Sequence, residues 1–240
     1  IHPELNFRRN SVNLLIGKRG SGKTYNVFRE MMKLNFVDDH MYTKFVFVTD
    51  KAQDPTFDRI KNHFPLPYDE IPYKDAADHI REIAEAKSAV DELKKSGMKD
   101  LSSLTDDSRE LICHHLGVTD LKKPVYHTAV LFDDCQNMFD RNNKYNRELI
   151  RLLFENRQPK ITYFLCMQDP KGIDSSLKQN LDAVWLFGGF SRHKFKYLMT
   201  FIPTDVDWLD LYEEYSELTT REALMFDIQE SGTDFLKVEA

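Results

Sequence analysis

The stretch LLIGKRGSGKTYNVFREMMKLNF, residues 14–36, decides how the rest of the chain is read. An apolar strand breaks into a glycine-rich, doubly cationic turn and resumes as an amphipathic helix. The turn completes the pattern G-x-x-x-x-G-K-[ST], from Gly17 through Lys18, Arg19, Gly20, Ser21 and Gly22 to Lys23 and Thr24. Successive backbone N–H groups in such a loop point into one concavity, and the following helix adds the positive end of its dipole. The pattern predicts a cradle for the phosphates of ATP, with Lys23 reaching the β- and γ-phosphates and the Thr24 hydroxyl ligating Mg²⁺. Tyr25, next along the helix, completes the set expected to bind the nucleotide.

A magnesium-bound triphosphate needs a second acidic group, because the hard cation keeps waters that carboxylates hold. VYHTAVLFDD, residues 125–134, supplies it. An apolar strand delivers Asp133 beside the loop for Mg²⁺, partly through water, while Asp134 points elsewhere and is placed to polarise an attacking water. Two acids in series after a strand suggest hydrolysis. ITYFLCMQD, residues 161–169, carries Gln168 at its end, where the amide either senses the γ-phosphate or bonds backbone. In NRELIRLLFENR, residues 146–157, Arg147 and Arg151 share a polar face with Glu155, whereas Arg157 lies beyond it next to Pro159. Arg157 is read either as a cation offered to a neighbouring subunit's nucleotide or as a helix C-cap cation.

Outward from these motifs, Val12 to Ile16 reads as the strand leading into the loop, and Val27, Phe28, Met31, Met32 and Leu34 recur at helical spacing behind it. KFVFVTD (44–50), ITYFLCMQD and AVWLFGG (183–189) are further strands, with IDSSLKQNL (173–181) a short helix. Nearly continuous apolar strands alternating with helices predict an α/β fold, its mostly parallel sheet covered on both faces. ALMFDIQESGTDFLKV (223–238) reads instead as an antiparallel hairpin around Ser231 and Gly232. FPLPYDEIPY (64–73), with three prolines, is expected as an extended connector. Helices are expected from Ala76 to Gly97 and from about Thr105 to Leu116, capped by Gly117. Residues 65–123 together read as a helical insertion, a solvated spacer or lid, in a single domain.

A chain of 240 residues with 41% hydrophobic content can bury a substantial core. Because it opens on Ile1, it is expected to be a trimmed or ordered part of something longer. No apolar run approaches the roughly 20 residues that span a bilayer, so no membrane span and a soluble protein are expected. Cys113, Cys135 and Cys166 are an odd set without C-x-x-C spacing or paired histidines at zinc-ligand distance, which points to reduced thiols in a reducing compartment. With a net charge of −6, any contact with DNA requires a local basic patch. SRHKFKY (191–197) offers Arg192, His193, Lys194 and Lys196, and DRNNKYNR (140–147) offers Arg141 and Lys144. Either is a DNA contact or a solvated basic surface. The Asn-Lys-x-Asp motif of a GTPase-like switch is absent, since TDKAQD (49–54) does not supply it. A small-molecule kinase would use the same loop with an acceptor pocket.

The strand into GKRGSGKT, the LFDD strand, the arginine of FENRQ, the strand ending in FLCMQ and the late strand AVWLFGG occur in one order over roughly residues 11–202. In that order the chain resembles the viral genome-packaging ATPases of the FtsK-HerA superfamily, most similar to the poxvirus-type enzymes of large double-stranded DNA viruses. The resemblance implies a RecA-like, ASCE-type P-loop NTPase core in which the loop strand and the Asp133 strand are separated by another strand. It implies a ring, pentamer or hexamer, that pumps double-stranded DNA with ATP hydrolysis, and a capsid portal or vertex protein as partner. It assigns metal coordination to Asp133, water activation to Asp134, sensing to Gln168 and a trans-acting role to Arg157. The place of action it implies is the host cytoplasm or virus factory, and the virion during assembly. A cellular HerA-like or conjugation-type DNA pump is the alternative. Many superfamily members carry Asp-Glu where this chain has Asp-Asp, and residues 65–123 could be a portal-docking element or a spacer.

Overall fold

Among the described residues, eight strands form one sheet, and their order places the loop strand in its middle. The structure is a computed structural model that describes residues 9–37, 42–50, 58, 60, 63–97, 104–119, 126–143, 146–202, 204, 206–228 and 235–238. In chain order the strands are β1 (Val12–Ile16), β2 (Tyr42–Val48), β3 (Tyr68–Ile71), β4 (His127–Phe132), β5 (Ile161–Met167), β6 (Ala183–Phe187), β7 (Ala223–Asp227) and β8 (Phe235–Val238). Across the sheet they run β3-β2-β4-β5-β1-β6-β7-β8. Pairings from β3 to β6 are parallel, whereas β6–β7 and β7–β8 are antiparallel. β5 therefore lies between the loop strand and the strand leading to Asp133, as the resemblance implies. The β7–β8 hairpin forms the expected antiparallel edge, though its turn at Ser231 and Gly232 lies outside the described residues.

Every residue of β1, β2, β4, β5, β6 and β7 is buried, because helices cover both faces. Side chains alternate between those faces along each strand. Leu15, Phe47, Leu131, Phe164 and Trp185 pack with Val27, Phe28 and Met31 of α1 (Lys23–Val37). Leu14, Ile16, Val130, Phe132 and Leu165 face the other way, into a larger core. That core receives α2 (Ala76–Lys95) and α4 (Asn146–Phe154), with α3 (Asp106–Leu116) placed outside α2. The short helices α5 (Ser175–Gln179) and α6 (Arg192–Leu198), with α7 (Trp208–Ser216), complete the layer. Among the described residues, no helix is long and apolar enough to cross a membrane.

Two expectations change. The proline-rich connector contains β3, paired to β2 from Phe45↔Tyr68 to Val48↔Ile71. Its prolines, which lack a ladder donor, fall outside the paired residues: Pro65 and Pro67 precede them and Pro72 follows. The stretch read as a solvated insertion also contributes to the main core, since Ala76, Ala77, Ile80 and Ile83 of α2 are buried there. Its small alanines hide a helix packed on the sheet. α3 fits the reading closely: the Thr105 hydroxyl accepts from Ser108 N–H at the start, and Gly117 closes the helix at φ 66°.

Candidate functional site

Because β1, β4 and β5 are parallel neighbours, the loops leaving their C-terminal ends meet at one edge of the sheet. The turn after β1 is tied to β5 by Gly17 N–H donating to the Met167 carbonyl at 3.1 Å, and closes on itself through Ser21 N–H to the Lys18 carbonyl at 3.2 Å. Gly20 and Gly22 have φ of 78° and 86°, which glycine adopts at no steric cost. At Gly17 a Cβ would come within 2.4 Å of Ser21 Oγ and 2.8 Å of Phe187 Cβ. The Lys23 ammonium lies across the loop, donating to the carbonyls of Gly17 at 2.7 Å and Lys18 at 3.0 Å. Ser21 Oγ is buried with no partner among the described residues, a polar atom that a phosphate oxygen would satisfy. Lys18, Arg19 and Tyr25 are exposed around the mouth.

The Thr24 hydroxyl donates to Asp133 Oδ1 at 2.9 Å. A hydroxyl and a carboxylate at that distance form the all-oxygen, hard donor set that Mg²⁺ takes together with phosphate oxygens. The residues present therefore fit a magnesium-bound triphosphate. Asp133 itself is fixed by its N–H, which donates to the Val48 carbonyl at 3.0 Å, and by Tyr73, whose hydroxyl donates to its carbonyl. Burial first, and then the charges of Cys135, Asp133, Asp134 and Asp50, push the Tyr73 hydroxyl upward, so it remains a donor. Asp50 in turn accepts from Tyr73 N–H at 2.8 Å.

One residue on, the backbone of Asp134 turns into the left-handed region, at φ 52°. Its Oδ1 accepts two amide bonds at 2.9 Å each, from Gln136 Nε2 and from Gln168 Nε2. The backbone N–H of Gln168 donates to Gln136 Oε1 at 3.2 Å, which closes a ring through three residues. A carboxylate oriented in this way can position a water or take its proton. The Gln168 amide is thus bonded to a carboxylate, not to backbone. Behind the site Cys135 and Cys166 are free thiols pushed well upward by burial, hence protonated and unreactive.

Arg157 is exposed and precedes β5, at the opposite end of that strand from Gln168. Seven strand residues at about 3.3 Å each put it roughly 20 Å or more from its own phosphate loop. The two basic stretches differ. In α6, Arg192 and Lys196 lie over the Trp208 ring at 5.5 and 4.8 Å, and Lys194 pairs with Asp169 at 2.7 Å. His193 and Arg141 are exposed, while Lys144 lies outside the described residues. Gln136 and Tyr73 were not singled out by the sequence. Gln136 sits two residues past Asp134 in a 3₁₀ turn, and Tyr73 arrives from the end of β3.

No protein-family model and no curated protein matches the chain. Solved structures do match it in fold. One is the DNA-packaging ATPase B204 of Sulfolobus turreted icosahedral virus, with TM-score 0.58 and 12% identity over 97% of this chain and 98% of that one. The cytoplasmic domain of the type VII secretion ATPase EccC of Thermomonospora curvata gives TM-score 0.60 and 14% identity, over 96% of this chain and 25% of that one. The pCW3 conjugation coupling protein TcpA, solved with ATPγS, gives TM-score 0.54 and 14% identity over 97% and 60%. The chain has the fold of these P-loop ATPases.

Proposed function

We propose that the chain is an ATP-hydrolysing motor that translocates double-stranded DNA and packages a viral genome into a preformed capsid. The observation that carries this reading is the meeting, at one sheet edge, of the phosphate loop with Asp133 at 2.9 Å from Thr24 and with the Asp134–Gln136–Gln168 ring. The match to the packaging ATPase B204 over nearly the whole of both chains supports the capsid-filling form of it.

Phosphate oxygens would accept from the loop's N–H groups, and Lys23 would exchange the carbonyls of Gly17 and Lys18 for the β- and γ-phosphates. Thr24 and Asp133 would hold Mg²⁺, which when bound would neutralise negative charge on the phosphates. Asp134 orients the attacking water and accepts its proton. Gln136 and Gln168 keep that carboxylate at one angle. Lys194 of α6 pairs with Asp169, the neighbour of Gln168, so a change in the Gln168 bond on loss of the γ-phosphate has a short path to a basic helix. Arg157, too far from its own loop, serves the nucleotide of the next protomer in a pentameric or hexameric ring. A portal or vertex protein would receive the ring where capsids are filled, in the host cytoplasm or virus factory.

The test is ATP hydrolysis by the purified chain with and without duplex DNA. Hydrolysis that duplex DNA stimulates supports the motor, whereas turnover indifferent to DNA refutes it. A conjugation-type DNA pump is the second reading, favoured by the fold shared with TcpA. Presence of the protein in filled or filling capsids separates the two.

A further inference from the structure

We propose that α2 and α3 form a binding site for a divalent transition-metal ion of the zinc class, with His79, Glu82 and His115 as ligands and Asp69 orienting His79. One ligand atom from each of the three lies within 4.8 Å of the others. His79 and Glu82 are three residues apart on α2 and so share a face. His115 reaches them from the last turn of α3.

The donor geometry is close to that of a metal centre. Glu82 Oε2 is 3.8 Å from His79 Nδ1 and 3.9 Å from His115 Nε2. Ligands at about 2.0–2.2 Å from a tetrahedral zinc stand roughly 3.3 Å from one another, so each of the two gaps to Glu82 has about half an ångström to close, and the imidazole nitrogens, within 4.8 Å, at most about 1.5 Å. The Glu82 side chain, 56% exposed, is free enough to close its own two gaps. Two imidazoles and a carboxylate suit zinc, and also cobalt and nickel, better than magnesium or calcium. Three protein ligands leave a fourth position for water or an incoming group.

The surroundings of each histidine point the same way. His79 Nε2 lies 2.9 Å from Asp69 Oδ2, and Lys44 holds the other oxygen of that carboxylate at 2.8 Å. Asp69 is thus an anion accepting the proton on Nε2, which turns the Nδ1 lone pair towards Glu82. A metal-bound histidine characteristically gives its second N–H to a carboxylate in this way, fixing tautomer and ring angle. With the proton on Nε2 alone, the Nδ1 lone pair and the Glu82 carboxylate face each other as two acceptors 3.8 Å apart. His115 is the second independent sign. Its side chain is only 9% exposed, and neither ring nitrogen makes a hydrogen bond among the described residues, Nδ1 being shut off from solvent. Buried polar groups are ordinarily bonded, and ligation would bond Nε2, the nitrogen 3.9 Å from Glu82, though not Nδ1. The site lies away from the phosphate loop, beside β3 and β2, and ties α3 to α2.

The experiment uses the full chain, treated with EDTA, freed of chelator and titrated with zinc chloride in the absence of nucleotide. Calorimetry should report one ion per chain, and the thermal midpoint should rise with added zinc, because the ion binds only the folded form. Cobalt(II) should give a visible spectrum of low coordination without a thiolate charge-transfer band. Asp69→Asn should weaken binding about 10- to 100-fold, the usual effect of losing such an outer partner. His115→Ala and Glu82→Gln should abolish it. Glu82→Gln changes a half-exposed side chain, so it should melt as the wild type does in EDTA while no longer responding to zinc. Cys113→Ser should bind normally. The proposal is overturned if zinc does not bind, if Glu82→Gln binds it unchanged, or if Cys113→Ser alone removes it. It is equally overturned if His79 proves doubly protonated at neutral pH, bridging Asp69 and Glu82 as an imidazolium.

Discussion

Gln136→Ala separates a positioned catalytic carboxylate from a merely adjacent one. Gln136 donates to Asp134 Oδ1 at 2.9 Å and accepts Gln168 N–H at 3.2 Å, but it makes no hydrogen bond to the phosphate loop. A hydrogen bond to a charged group contributes about 1.5–3 kcal/mol. If that energy holds Asp134 at its working angle, its loss falls on the chemical step, and at 1.36 kcal/mol per decade kcat drops about 10- to 150-fold. KM for ATP should stay near the wild-type value, because the loop and Lys23 are untouched. Steady-state phosphate release at saturating MgATP measures the first quantity, and a substrate titration the second. Because the position is half-buried, circular dichroism of the variant should match the wild type. A kcat within twofold of wild type, or a KM that rises in step with any loss, would refute the role given to the amide ring.

Arg157→Ala should leave nucleotide binding by the isolated chain intact and abolish the hydrolysis that appears on assembly; assembled rings hydrolysing at the wild-type rate would remove the trans assignment. Tyr73→Phe deletes the bond to the Asp133 carbonyl, worth about 0.5–1.5 kcal/mol net. For a chain of this size that is a fall of about 1–6 °C in Tm by differential scanning calorimetry. Burial, with Lys87, Arg9 and Lys160 nearby, holds His127 down at about 4. The unfolded chain, at about 6.5, then binds more protons, so stability present above pH 6.5 is lost progressively as the pH falls towards 4. In thermal melts across that window His127→Asn should lose less than the wild type, and equal slopes would contradict this.

What was legible in the sequence was local. The ends of β1 and α3 could be read because a glycine loop, a Thr105 cap and a Gly117 stop act within a few residues of where they stand. β3 was obscured because three prolines crowd its flanks, and their composition outweighed the four residues that pair. α2 reads as a solvated helix because two of the residues it buries in the main core, Ala76 and Ala77, add little to the apolar pattern of a charged stretch. The loop, Asp133, Asp134 and Gln168 each stand just past the end of a strand, and parallel strands bring their C-terminal ends to one edge. Their bonds were not legible. Gln168 meets Asp134 across 34 residues and Tyr73 meets Asp133 across 60, distances over which only sheet order decides contact. The histidines show the same limit: no pair stands at zinc spacing along the chain, yet helix packing brings His79 and His115 together around Glu82.

The central claim is that the Gly17–Thr24 loop and the Asp133 carboxylate together hold one magnesium-bound triphosphate. Calorimetric titration of Mg·ATPγS into the wild-type chain, into Lys23→Ala and into Asp133→Asn tests it directly. One site per chain is predicted for the wild type, no measurable binding for Lys23→Ala, and weakened, magnesium-insensitive binding for Asp133→Asn. Absence of heat with the wild type, or equal affinity in all three proteins, would contradict the account.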